Sequence, residues 1–313
     1  MGLSDIIRRF TSIGQKRPLE NALRAACEET RTYMDGILIR TKIELLRDKT
    51  LNSQASGILH KHRDNELVIV SLTTFGERIH NAYLPIESIM QGTMKPDKII
   101  LWLAKEEFEG KVLPITLQKQ QSRGLEIRFI DDLKSYNKLI PALKTFPDDT
   151  IVTIDDDALY EFDLLERLYS CHQSHPNTIY ACRMHRIRTD TEHSPIPYMQ
   201  WDLCIDDERD SILNFPTGIG GVLYPPHCFT DEVFNSKVFM SACPKADDIW
   251  FYAMARIANT SSKWVRTSQP KGYYIPLPIT DDALSLYNTS PTENGNDLQL
   301  KNVMDRYNIS MKV

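Results

Sequence analysis

The chemistry of this chain is concentrated in its carboxylates. The run Ile151-Val152-Thr153-Ile154 leads straight into Asp155-Asp156-Asp157, and a second acidic pair, Asp247-Asp248, stands farther along. Three adjacent acids repel one another, and burying them is costly unless a cation compensates. A divalent ion with oxygen ligands, Mg²⁺ or Mn²⁺, shared with a substrate diphosphate, is the simplest compensator. The plain alternative is a solvated acidic loop that caps a helix starting near Glu161.

These acids need elements to hold them. The apolar run before Asp155 reads as a buried parallel strand, which puts the acids at its C-terminal end, where open α/β sheets bind ligands. Leu67–Leu72, Lys98–Leu103 and Leu125–Ile130 read as three earlier strands, and helical patterns fall over 82–90, 113–123 and 136–143. This alternation predicts a parallel sheet covered on both faces. A helix follows over 163–172, then a strand over 178–182. The segment 183–213 is polar and irregular. Gly218, Gly220 and Gly221 precede a strand at Val222–Tyr224, Asp247-Asp248 open a helix, a late strand covers 273–277, and a last helix follows Asn294. Residues 1–63, rich in Arg, Lys, Glu and Leu, read as two or three helices. The expected division is a helical extension over 1–63, a catalytic α/β domain over 64–285 and a helical tail over 286–313.

Bulk properties narrow the function classes. A formal net charge of −5 argues against broad nucleic-acid binding. No apolar run reaches the roughly 18 residues of a membrane span, and the start lacks the apolar stretch of a secretory signal. Leu3, Ile6, Ile7 and Phe10 beside Arg8 and Arg9 could lie on an anionic membrane surface or pack on protein. Six scattered cysteines without C-x-x-C spacing read as reduced thiols in a cytoplasmic protein.

The order of these pieces resembles the glycosyltransferases of GT-A fold, especially family 2-like bacterial enzymes that build capsule or lipopolysaccharide glycans. Val70-Ser-Leu-Thr-Thr-Phe75, Ile154-Asp-Asp-Asp157, Gly220-Gly-Val-Leu-Tyr-Pro-Pro226 and Ala246-Asp-Asp-Ile-Trp-Phe251 carry the likeness, which spans about 66–285. It implies a Rossmann-like nucleotide-diphospho-sugar transferase fold. Thr73, Thr74 and Arg78 would line the nucleotide pocket, with Asp131, Asp132 and Lys138 beside base, ribose or diphosphate. Asp155 and Asp156 would lie on the nucleotide-sugar side, with Asp155 and Asp157 as metal ligands. Gly220 and Gly221 would floor the sugar and acceptor site. Asp248, with Asp247 close behind, would be the base of an inverting reaction. The donor would be a nucleoside diphosphate sugar, UDP-linked, and the acceptor a glycan or lipid-linked glycan. Peripheral attachment to a membrane and self-association through the N-terminal helices are further expectations. A third metal ligand is not obvious, since all eight histidines lie at or before His227; Asp281 or Asp282 could serve.

The chemistry fits independently of the likeness. Sugar transfer passes through an oxocarbenium-like state, the leaving diphosphate gains charge, and the acceptor hydroxyl must lose a proton to a nearby carboxylate. For Asp247-Asp248 the plain alternative is a helix cap with a first-turn acid. His185, in a basic cluster, reads as an exposed loop residue or an anion contact; Trp102 and Trp250 read as core; Tyr198 and Trp201 could stack on a sugar ring. Rival functions are a haloacid-dehalogenase-like Mg²⁺ phosphatase, whose Asp-x-Asp strand should open its domain, a nucleotidyltransferase, and an inactive transferase-like assembly subunit.

Overall fold

The structure is a computed structural model that describes residues 16–61, 63, 66–267, 274–277 and 295–312. The described part of the N-terminal segment, up to Asn52, is one continuous helix, α1 (Lys16–Asn52). At 37 residues it is about 55 Å long. No proline follows Pro18, and the Asp35-Gly36 pair, a turn signal in other settings, is carried inside the helix. Residue contacts divide the chain at Asp48–Lys49, inside that helix. Residues 53–63 are tied to the α/β unit: the Gly57 amide donates to the Arg123 carbonyl, the Leu59 amide to that of Pro96, and Arg63 pairs with buried Asp97.

The α/β unit is built on a seven-stranded sheet. Its strands β1 (Val68–Thr73), β2 (Lys98–Ala104), β3 (Leu125–Ile130) and β4 (Thr150–Thr153) lie in the spatial order β3-β2-β1-β4, all parallel. Val68, Ile69, Val70 and Leu72 are wholly buried, because helices cover both faces and the strand can be apolar throughout. Beyond β4 the sheet continues through β9 (Val222–Tyr224), β6 (Ile179–Ala181) and β10 (Ser262–Trp264), with β9 antiparallel to both neighbours. The Rossmann-like α/β class is therefore as expected, with one reversed strand inside it. Two small antiparallel pairs lie outside the main sheet: β5 (Ala158–Tyr160) with β11 (Tyr274–Pro276), and β7 (Met184–Arg186) with β8 (Asn214–Pro216).

The helices are short: α2 (Tyr83–Met90), α3 (Lys105–Phe108), α4 (Ile115–Gln121), α5 (Ile140–Thr145), α6 (Leu164–Ser174), α7 (Ser236–Ala242) and α8 (Asp247–Ile257). The last, α9 (Gly295–Tyr307), puts Leu300 and Val303 into the core around Trp250. Buried Glu87 on α2 pairs with Arg123 at 2.9 Å and also takes hydrogen bonds from Thr50 and Gln120. Such a pair is tolerable only because further donors satisfy it.

One feature of the topology selects a place for ligand. From β1 the chain winds to β2 and β3 on one side, then crosses back to β4 on the other. The C-terminal ends of β1 and β4 thus flank the point where strand order reverses, the crevice used by ligands in open α/β sheets.

Candidate active site

Asp155, Asp156 and Asp157 follow β4 directly. The Ile154 amide still donates to the Ser71 carbonyl, so strand pairing carries the chain to the first acid. Thr73 ends β1 and spends its hydroxyl on the Trp102 carbonyl. Thr74 is buried and donates its hydroxyl to Asp156. Arg78, one short turn later, reaches Asp156 Oδ1 at 2.7 Å and also pairs with Asp157.

A second cation sits deeper. Lys138 Nζ lies 2.9 Å from Asp155 Oδ1 and 3.1 Å from Asp247 Oδ2. Buried Ser71 fixes it from behind: its hydroxyl donates to the Lys138 carbonyl at 2.6 Å and accepts the Trp102 indole N–H at 2.8 Å. Burial alone would lower the Lys138 pKa, but Asp155, Asp247 and Asp248 outweigh it and hold the pKa well above normal. Lys138 stays charged.

Asp247 and Asp248 are the first two residues of α8. The cap position is Ala246, which makes no side-chain cap bond, so neither acid is the N-cap; both lie in the first turn. Both oxygens of Asp248 accept the Gly218 amide N–H, at 3.1 and 3.2 Å. Gly218 belongs against the cluster: a Cβ there would sit 2.7 Å from Lys138 Nζ and 3.1 Å from Asp248 Oδ1. Gly220 instead lies against Arg183, and Gly221, at φ +87°, against Leu164. Asp132 is bound locally, accepting from Lys134 and Asn137 in the turn after β3.

Five carboxylates therefore surround two cations. The surplus negative charge, with desolvation, shifts proton affinities. Burial raises Asp156 to about 6, against the opposing pull of Arg78 and Thr74. Burial and then Asp155 raise Asp157. Burial, then Asp247, push Asp248 up to about 7. Lys138 and the Gly218 N–H resist that last shift without cancelling it.

Among the described residues, no three His, Cys, Asp or Glu side chains are gathered as a metal-binding set. Two observations nonetheless fit a hard cation. Asp155 and Asp157 are oxygen donors at the crevice, and Asp157 Oδ1 is buried without a hydrogen-bond partner. Asp281 and Asp282, and the amphipathic stretch around Leu3–Phe10, lie outside the described residues.

Two contributors escaped the sequence reading. The Tyr160 hydroxyl accepts the Asp155 amide and donates to the Ile219 carbonyl, which joins the acid run to the glycine loop. The Leu277 amide, just past β11, donates to the Asp157 carbonyl. Two readings are corrected. His185 is not an exposed loop residue; it sits buried in β7, its Nδ1 accepting the Cys204 amide, and burial followed by Arg183 pushes its pKa down to about 3. Trp201 is core, packed on Phe215 and Tyr198 with its indole on the Ile196 carbonyl. Trp102 and Trp250 are core as expected. A separate cavity of about 420 Å³ opens between α6 and β10, but its Asp163, Glu166 and Glu208 are balanced by Arg167, Lys263 and Arg266.

No protein-family model and no curated protein matches the chain. Among solved structures, S. aureus TarS 1–349 in complex with UDP-GlcNAc aligns at a TM-score of 0.46 and 11% identity, covering 77% of this chain and 72% of that one. The same protein in complex with UDP gives 0.43 and 12%, with coverage of 77% and 71%. A CMP:2-keto-3-deoxy-manno-octonic acid synthetase complexed with CTP gives 0.37 and 8%, covering 69% of this chain and 94% of that one. None of these reaches a TM-score of 0.5.

Proposed function

We propose that this chain is a glycosyltransferase that moves a sugar from a nucleoside diphosphate, with UDP the nucleotide of choice, to a glycan or lipid-linked glycan hydroxyl, with inversion at the sugar. The observation that carries this reading is Asp248. It is a carboxylate at a helix head, pushed up to about 7, held by the Gly218 N–H and close enough to Lys138 and to Asp155, which follows β4, to feel both charges. A general base works best with a pKa near the operating pH. Once ionised, Asp248 accepts the acceptor's hydroxyl proton. Asp247 keeps its neighbour's proton affinity high, and Lys138 pairs with Asp155 and Asp247.

Arg78 binds the donor. Its guanidinium already lies on Asp156 and Asp157 through Nη2, and diphosphate oxygens could take its N–H fork in bidentate fashion. Asp155 and Asp157 would hold Mg²⁺ or Mn²⁺, which supplies charge neutralisation at the leaving diphosphate. Gly218, rather than a residue with a side chain, lets Lys138 Nζ and Asp248 close onto the backbone at the site. The motif order resembles enzymes of capsule and lipopolysaccharide synthesis, which supports a sugar-nucleotide donor and a role in surface polysaccharide assembly. A phosphatase of the haloacid-dehalogenase type is disfavoured because three strands precede the acid-bearing one.

The test is release of UDP from a panel of UDP-sugars with acceptor glycans, with Mn²⁺ present, by wild type and Asp157→Asn. Acceptor-dependent release that the substitution abolishes supports the proposal. Full metal-dependent activity in Asp157→Asn would sink it.

A further inference from the structure

The two acidic groups of the site come from distant parts of the chain, and the side chain of Tyr160 spans the gap between them. Tyr160 lies in β5 and is buried. Its hydroxyl accepts the Asp155 amide N–H at 2.8 Å and donates to the Ile219 carbonyl at 3.1 Å. Burial, then the charge of Asp155, hold its pKa well above normal, so the phenol keeps the proton it donates. The ring is itself held in place. The Tyr160 amide donates to Ser88 Oγ on α2, and its backbone pairs with Tyr274 of β11.

The far end of this bridge matters because of what adjoins Ile219. Gly218, one residue earlier, gives its amide N–H to both oxygens of Asp248. Thr217, one earlier still, is fixed to the chain just past β6. Its amide and hydroxyl both reach the Arg183 carbonyl, at 3.2 and 3.3 Å, and its hydroxyl oxygen accepts Arg183 Nη1 at 2.9 Å. Three consecutive residues thus tie one short segment to β6, to the head of α8 and to the acid run after β4. Lys138 also links the two acidic groups, but it joins side-chain oxygens of Asp155 and Asp247. Tyr160 joins main chain to main chain.

We propose that Tyr160 is a positioning residue for sugar transfer, its hydroxyl setting the separation between Asp155 on the donor side and Asp248 on the acceptor side. The inference rests on the function proposed above, in which these two acids serve opposite partners of one reaction. Inversion needs the acceptor hydroxyl and the leaving diphosphate on opposite faces of the sugar carbon, so the groups that serve them must keep a fixed spacing. A placement error of about 1 Å can cost about 10²-fold in rate.

Tyr160→Phe keeps the ring and removes both hydrogen bonds. With a UDP-sugar and acceptor that wild type turns over, its kcat should fall by about 10- to 100-fold. Its affinity for UDP with Mn²⁺, read by calorimetry, should stay within about threefold of wild type, because Lys138 and Arg78 still hold the acid side chains. In an Asp248→Asn background no base is left to place, so adding Tyr160→Phe should cost less than about twofold more. A general structural role would instead multiply the two losses. Hydrogen exchange of wild type, followed by NMR, supplies a readout that needs no variant to fold. The Asp155 amide should be protected like the Ile154 amide, which is bound to the Ser71 carbonyl. An Asp155 amide that exchanges as fast as an exposed one would overturn the proposal. So would an unchanged kcat in Tyr160→Phe, a loss confined to UDP affinity, or losses that multiply in the double variant. Absence of transfer by wild type would remove the proposed function and this inference with it, whereas the other failures leave that function standing.

Discussion

Asp248→Asn should make the protein more stable and less active at once. Asp248 rises from an ordinary 3.8 to about 7 because its charge is poorly solvated and faces Asp247 and Asp155. A displacement of roughly three pH units, at about 1.36 kcal/mol each, bounds the folded-state cost of ionisation at about 4 kcal/mol. Asp248 keeps part of its surface in water and shares its proton affinity with its neighbours, so about 2 kcal/mol is the realistic figure. The sign follows from proton linkage. Between pH 3.8 and about 7 the folded chain holds a proton that the unfolded chain has lost, so wild-type stability falls as pH rises through that window. The asparagine removes the charge and still offers the Gly218 N–H an acceptor oxygen. Thermal melts above pH 7 should place the variant about 4–8 °C higher, with the gap closing towards pH 4. Transfer activity should drop by about 10²-fold or more, as loss of a general base requires. A variant that melts below wild type above pH 7 would refute the reasoning, because Asp248 would then be a net stabilising anion.

Other perturbations follow from the same packing. Lys138→Met leaves Asp155 and Asp247 uncompensated and should cost about 3–5 kcal/mol, read by urea denaturation near neutral pH. Gly218→Ala forces a methyl against Lys138 Nζ and should cut kcat at least about tenfold while costing only about 1–3 kcal/mol of stability. Gly36→Ala, in the middle of α1 with nothing within 4 Å of the added carbon, should raise helical stability by about 0.5–1 kcal/mol, read by circular dichroism melts.

Much of this was legible in the sequence because the parallel half is written in continuous apolar runs. Leu125–Ile130 and Val222–Tyr224 were bounded to the residue, and β1, β2 and β4 within one. The elements that escaped are the three-residue strands β5, β7, β8 and β10. β5 pairs with β11, read from the sequence over 273–277, across more than a hundred positions, and β7 and β8 are polar or aromatic on one face, so no local period marks them. The direction of β9 was also hidden, since a buried strand reads the same either way. At the site, residue types announced the acids, and the fold brought Thr74, Arg78, Lys138, Asp155–Asp157, Asp247 and Asp248 into two adjoining ion-pair groups. Which glycine serves them was not legible. Three glycines lie within four positions, and only the crossing of β8 into β9 puts Gly218 rather than its neighbours beside Asp248. His185 was misplaced for a related reason: a basic flank reads as exposed, while β7 turns that one side chain inward.

Calorimetric titration of the purified chain with UDP, with and without Mn²⁺, tests the central claim most directly. Binding that tightens with Mn²⁺, and that Asp157→Asn and Arg78→Ala each weaken, is the predicted result. Absence of UDP binding under both conditions would contradict a nucleotide-diphosphate site at the ends of β1 and β4.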